Sequence, residues 1–337
     1  LSFNSSEKVE AVMLDVEIAA NTANSGGAFA AVGPVQLLFD KVRVQKNLAK
    51  SGCGGGVCLE SSRTGSPDLH GANYGLVISE NEALGVGGGG ICLRGVDLSR
   101  TNLTGHILVT LNKGPFGAGM YAERAFFMSG LSIAVQGNTA TNSGGGVYLT
   151  VSENIAPGSK ILNVHTFLNN KALAGDGGAL FLSGNASLEI FNSTFTGNLA
   201  LNKGGTFAIE SLASLELIRV KATNSYVTGA TGAGGVVSVT TSSLKVQNSS
   251  FIGGKAAFGG AIYVHEGSVV AFLLSARNSQ GLNDGGGLYL AHNTKFSGSK
   301  CTFEENIANG NGGGILVDGS SLLDLSVSSL VVSNKAN

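Results

Sequence analysis

Proline is nearly missing from this chain: 4 residues in 337, against 52 glycines. Glycine at that density without proline, and without a Gly-X-Y period, excludes collagen and a disordered linker. Charge is scarce as well. Only 13% of residues are charged and the mean hydropathy is +0.23, so the chain is short of solvated surface. The net charge is −1 with no basic run, which argues against a nucleic-acid partner, because phosphate binding needs clustered Lys and Arg. No apolar stretch approaches the ~18 residues of a membrane helix. The chain opens on Leu1 with no charged, then apolar, leader, which leads us to expect a processed or excised piece. Four cysteines in 337 residues are too few for a disulfide scaffold.

What is present is a repeat. Glycine pairs recur along the chain and their second members are Gly27, Gly56, Gly90, Gly119, Gly146, Gly178, Gly205, Gly235, Gly260, Gly287 and Gly314; at Gly119 the first member is Ala118. Before most of these marks stands an asparagine: Asn21, Asn47, Asn81, Asn112, Asn138, Asn170, Asn198, Asn224, Asn278 and Asn306, with Gly254 in the remaining copy. Three residues before the asparagine is a large apolar slot, filled by Ile18, Val44, Ile78, Val135, Phe167, Phe195, Phe251 and Phe303, and less well or not at all by Val109, Lys221 and Ser275. Such dense glycine disfavours helix, and apolar runs of 4–8 residues bounded by turn residues read as strands. The first such run, Val9 to Ile18, fits both periods, and we read it as strand because Ile18-Ala19-Ala20-Asn21 matches later copies.

A unit of ~27–30 residues cannot close its own core and must bury itself on its neighbours. The expected fold is all-β: one parallel β-helix of about eleven coils over residues 1–337, a rod on the order of 50 Å long at ~4.8 Å per coil. Asparagines should then stack from coil to coil. Insertions near 59–74 and 153–160 are expected as loops, the first, with Pro67, protruding. Val332 to Asn337 begins another coil and neither end shows a cap, which leads us to expect a longer chain or abutting subunits.

Gly-Gly-Ala-apolar, at Gly26–Phe29, Gly177–Leu180 and Gly259–Ile262, combined with Phe-x-x-Asn, at Phe167–Asn170, Phe195–Asn198 and Phe303–Asn306, resembles the repeats of the chlamydial polymorphic outer-membrane proteins. Similar motifs recur in β-helix repeats of bacterial adhesins and of large eukaryotic surface proteins. The resemblance spans most of the chain. It implies right-handedness and adhesive or structural work outside the cell, and it does not imply a membrane barrel.

Counted from the second glycine, the first and third strand positions share one face and the second and fourth the other. The fourth includes Glu60, Arg94, Glu123, Thr150 and Asp318, so it should face solvent. The second is nonetheless apolar, with Phe29, Tyr121, Tyr148, Leu180, Phe207, Ile262, Tyr289 and Leu316. An outward apolar ladder needs a cover. A second copy, another subunit or region of a parent protein, a glycan, or a loop of the same coil would serve, and the pattern favours lateral assembly.

The remaining candidates are few. Cys58 and Cys92 occupy one position in adjacent coils, ~4.8 Å apart and within disulfide range. Stacked thiols are the alternative, and Cys53 competes for Cys58. Cys301 stands alone, and no metal-ligand spacing is evident. Sequons at Asn4, Asn102, Asn185, Asn192 and Asn248 permit glycosylation. Glycosidase chemistry needs carboxyls ~5–9.5 Å apart; Asp176 and Asp284 lie four coils apart, and Glu304-Glu305 reads as solvated. Asp68 with His70 is the nearest approach to a catalytic pair, and His106, His165, His265 and His292 are scattered. The expectation is a non-catalytic extracellular or cell-surface module without cofactor. An adhesin for glycans or a partner surface is the alternative, and a carbohydrate-active enzyme the third reading.

Overall fold

The computed structural model describes all of residues 1–337 except 6, 8, 63–65, 72–74, 97–105, 125–131, 152–160 and 164. Among the described residues every regular element is a strand, and the strands of successive coils pair in parallel. One twelve-stranded sheet runs from Ser2–Asn4 to Ile315–Val317 and contains the strand after each glycine turn. A second, also of twelve strands, runs from Thr22–Ala23 to Lys335–Ala336. The remaining side has two legs per coil, such as Ser187–Phe191 and Thr194–Thr196, which merge into the ten-residue strands Ser243–Ile252 and Ser268–Arg277. The architecture is the expected parallel β-solenoid of about eleven coils.

The fixed point of each coil is a triplet whose first member is always glycine. Gly177 has φ +67°, and a Cβ there would lie 2.4 Å from the Leu180 carbonyl oxygen. Left-handed backbone costs an L-residue ~1–2 kcal/mol, and displacing that carbonyl adds strain of similar size. Gly177→Ala is therefore expected to cost about 3 kcal/mol, read as a lower urea midpoint.

Register from the triplet's first glycine corrects the strand alignment. Ala28, Ala179, Thr206, Val236 and Ala261 are the third member of the triplet, equivalent to Gly56 and Gly90, and all five are buried. Counting from the second glycine therefore shifts those copies by one residue, which reverses the face of every side chain. The pairing Phe29↔Val57, Val147↔Leu180, Leu180↔Phe207 and Val237↔Ile262 makes one inward ladder. Phe29, Leu180, Phe207 and Ile262 are core residues, 0–2% exposed, and do not belong to an outer surface. Their outward places are taken by Ala30, Phe181, Ala208 and Tyr263, in register with Cys58, Tyr148, Ser238 and Tyr289.

The asparagine ladder is real and shorter than expected. Each Nδ2 from Asn21 to Asn170 donates to Oδ1 of the asparagine in the next coil, at 2.9–3.1 Å, ending on Asn198. The same Nδ2 from Asn47 onward also donates to a carbonyl of the preceding coil, as Asn112 does to Ile78 at 3.0 Å. Ser225, Gly254 and Ser279 then occupy the column before Asn306 and Asn334 resume it. Asn224 and Asn278 fall one residue short and take the left-handed turn instead, at φ +52° and +53°. The apolar slot shifts with them: Ala222 and Ala276, not Lys221 and Ser275, pair with Phe195, Phe251 and Phe303. Val109 fills its slot and is fully buried.

In the second sheet a ladder of small residues, such as Ala49, Ala83, Ala140, Ala172 and Ala200, points inward at the corner that approaches the glycine turns. The first insertion is not simply a protruding loop. Asp68–Gly71 is a strand that pairs with Val35–Asp40, itself paired with Val9–Leu14. The insertion at 153–160 lies outside the described residues.

Candidate functional site

The outward face of the first sheet carries most of the chemistry-bearing side chains. Its second-position ladder holds two aromatic runs. Tyr121 stacks on Tyr148 with centroids 5.5 Å apart, and Tyr148 on Phe181 at 4.8 Å. Farther along, Tyr263 meets Tyr289 edge-on at 5.6 Å, with Leu316 in the next coil. Ala208 and Ser238 separate the runs.

In several coils the residue just before the glycine triplet folds over this ladder, onto the side chain of the next coil. Phe116 packs against Tyr148 at 5.2 Å and Phe258 against Tyr289 at 5.9 Å. At Gly87 a Cβ would stand 2.6 Å from the Tyr121 ring, so the absence of a side chain there makes room for it. Tyr121 is consequently only 7% exposed, and Tyr148, Tyr263, Tyr289 and Leu316 are half-buried. The cover that sequence assigns to lateral assembly comes in part from the preceding coil of the same chain. Burial raises the phenol pKa of Tyr121 and Tyr148, and burial together with a 3.1 Å hydrogen bond to Asp318 pushes Tyr289 up to about 12.

Cysteine pairing departs from expectation. Cys58 and Cys92 are cross-coil partners in register, yet the disulfide joins Cys53 to Cys58. Cys53 stands just before the triplet and so lies across the strand, while parallel in-register neighbours point side by side. Cys92 is a buried thiol, and burial raises its pKa well above the ordinary value. The three sulfur atoms all lie within 4.8 Å of one another. Glu60 Oε1 is 3.6 Å from Cys53 Sγ and 3.8 Å from Cys58 Sγ, and accepts a hydrogen bond from Arg94 at 3.1 Å. Arg94 also faces Glu123 at 3.7 Å.

A second polar group lies on the same face, Glu210 standing three coils beyond Glu123. Lys203 Nζ meets Glu210 at 2.8 Å. Asp176 Oδ1 is buried without a hydrogen-bond partner. Burial, and then the Glu210 charge, push the Asp176 carboxyl up to about 6, with Lys203 pulling the other way. A carboxyl raised in the folded state binds its proton more tightly there than in the unfolded chain, so its penalty is absent below pH ~4 and grows through pH ~6. Asp176→Asn should therefore raise the melting temperature above pH ~6 and leave it unchanged below pH ~4; a pH series of thermal melts checks this.

The other candidates do not converge. Asp284 Oδ1 accepts the Asn311 backbone N–H at 2.6 Å, a turn contact. His165 is buried with Nδ1 on the Ile133 backbone, and burial lowers its pKa to about 4. His265 and His292 meet edge-on, at 5.7 Å; His106 is exposed. Asp68 and His70 lie on the inserted strand, their side chains outside the described set. Asn4, Asn185, Asn192 and Asn248 are exposed, the last three in left-handed turns, and Asn102 lies outside the described residues. The covering role of the pre-triplet residue is what sequence reasoning missed. Its signal is Cys53, Phe116, Lys203 and Phe258 recurring at one place in the repeat.

A family model for the right-handed β-helix region matches residues 27–213 and 163–330, together most of the chain. Neither a curated protein nor a solved structure matches it.

Proposed function

Because the chain belongs to the right-handed β-helix family, an architecture that hosts unrelated chemistries, we propose that it is a non-catalytic structural module of an extracellular appendage or coat. The observation that carries this reading is where the polar groups go. Buried amides stack coil on coil, and the ionised side chains of the outer faces pair with one another, Arg94 with Glu60, Lys203 with Glu210 and Lys245 with Glu216. Among the described residues these three pairs stand apart from one another along the chain. Exposed sequon asparagines at 185, 192 and 248 support a secreted setting, and the motif resemblance to chlamydial surface-protein repeats supports a place at the cell surface. Contacts to other copies or subunits belong to the same reading. The second-position ladder is a poor seat for them, being partly covered by the preceding coil, whereas Val270, Phe272 and Leu273 are 42–54% exposed on another side.

Immunogold imaging of unpermeabilised source cells with an antibody to this chain tests the proposal. Surface labelling at a regular spacing is expected. Label confined to the cell interior, or release of new reducing ends when the purified chain meets a polysaccharide panel, would overturn it.

A second reading has an observation of its own. A groove of about 510 Å³, lined by Asp15, Glu17, Lys41, Arg43 and Gly75, lies beside the inserted segment. Mixed charge in a concave wall suits a polar ligand such as a glycan, and a glycan array with Arg43→Ala as control separates this adhesin reading from the structural one.

A further inference from the structure

We propose that in the reduced protein Cys53, Cys58 and Cys92, with the Glu60 carboxylate, bind a thiophilic divalent cation, zinc(II). The sulfurs come from two coils and two places in the repeat, and nothing in the stacking rule requires them to meet. They nevertheless lie within 4.8 Å of one another, each residue no more than 3% exposed. Three thiolates at ~2.3 Å from one zinc stand ~3.8 Å apart, so the cluster needs only a small adjustment. Glu60 Oε1 is 3.6 and 3.8 Å from the Cys53 and Cys58 sulfurs but lies outside the 4.8 Å group, so it becomes the fourth ligand by a side-chain movement toward Cys92. Those contacts have no role in the disulfide, which carries no proton to donate.

The surroundings fit. Arg94, 3.1 Å from Glu60, offsets the excess negative charge of three thiolates and a carboxylate on one dication. The cysteines pack with Tyr121, Phe116 and Tyr148 in an apolar cluster separate from the main core, which excludes water from the metal.

Thiol–disulfide exchange is the competing use of three sulfurs. Attack by Cys92 needs the incoming and leaving sulfurs in line, which would separate the outer pair by roughly 5.6 Å, a ~2.05 Å bond plus a contact of ~3.6 Å. The observed set is a triangle within 4.8 Å, shaped for a common centre. The disulfide and the metal exclude each other, because the bond removes two of the three thiolates. A phosphine opens the site: water and phosphine cleave the Cys53–Cys58 bond, two thiols form, and the phosphine leaves as its oxide. Zinc then displaces three thiol protons to solvent.

The test uses the full chain kept reduced with a phosphine and titrated with cobalt(II). One equivalent should develop thiolate-to-cobalt absorption and the intense visible bands of a tetrahedral site, and zinc(II) should abolish them. Cys92→Ser should weaken binding by more than ~100-fold, beyond the range typical of losing an outer-shell partner. Cys301→Ser, a buried cysteine remote from the cluster, should leave it unchanged. Zinc should also raise the melting temperature of the reduced wild type by several degrees and leave the oxidised chain unaffected. That measurement needs no variant to fold. Absence of the cobalt bands, equal binding by Cys92→Ser, or no zinc-dependent shift in the reduced chain would overturn the assignment.

Discussion

Replacing Asn112 by alanine is expected to destabilise the rod by about 3–6 kcal/mol. The side chain accepts from the Asn81 backbone N–H at 2.9 Å and from Asn81 Nδ2 at 3.0 Å, and it donates to the Ile78 carbonyl and to Asn138 Oδ1, both at 3.0 Å. All of this is sealed from solvent: Asn81, Asn112 and Asn138 are each 0% exposed. Alanine strands two donors and an acceptor at ~1–3 kcal/mol each. The chain itself supplies the intermediate case. Ser279 Oγ accepts the Gly254 N–H at 3.2 Å but cannot bridge two coils. Asn112→Ser should therefore fall between wild type and alanine. Urea denaturation ranks the three, and hydrogen exchange at the Asn81 amide shows whether the loss stays local, as expected where each coil contacts only its neighbours. Equal stability for all three would remove the ladder from any account of the rod.

Phe195→Ala carries the second large effect, about 4–6 kcal/mol. The ring is fully buried, stacks on Phe167 at 4.5 Å and meets Phe207 in a T-shaped contact at 4.5 Å. Emptying such a site costs ~3–5 kcal/mol, and each lost aromatic pair adds ~0.5–1.5 kcal/mol. The next coil offers only Ala222 at the paired position, so no larger neighbour can fill the space. Phe195→Leu, closer in volume, should cost roughly 1.5 kcal/mol. Phe191 is an internal control. It stands four residues earlier and faces outward, half-buried, because the left-handed turn at Asn192 resets the alternation between the two legs. Phe191→Ala should stay within ~1 kcal/mol. Midpoints of urea denaturation separate the three variants.

The Phe191 and Phe195 pair shows where sequence reading stops. Both lie in one apolar run, and alternation alone cannot locate a left-handed residue inside it. The same limit explains the misplaced ladder. Alternation has period 2, so a one-residue error in the start of a strand exchanges inside and outside. Phe29, Leu180, Phe207 and Ile262 change face for that reason, while Tyr121, Tyr148, Tyr289 and Leu316 do not. The start is marked by the glycine whose φ is positive, and a dihedral is not written in the residue names when two or three glycines stand together. Asn224 and Asn278 miss the ladder for a related reason: asparagine tolerates the left-handed turn as well as the stacking column, and the two sites are adjacent.

The cysteine cluster was half legible. Cys58 and Cys92 fall together as soon as the coils are stacked. Cys53 joins them only because the residue before its glycine triplet turns back across the outer face, as Phe116 and Phe258 do over the tyrosines of the next coil.

Gly177 to Lys203 and its relatives were enough to establish a parallel β-helix of about eleven coils, its asparagine column and its apolar slot. The reason is that each is a one-dimensional period, and a solenoid is a one-dimensional fold. Which face each strand shows, which cysteines meet, and what covers the outer tyrosines were decided in three dimensions. They depend on backbone dihedrals at the turns and on side chains from separate strands, and neither leaves a period in the sequence.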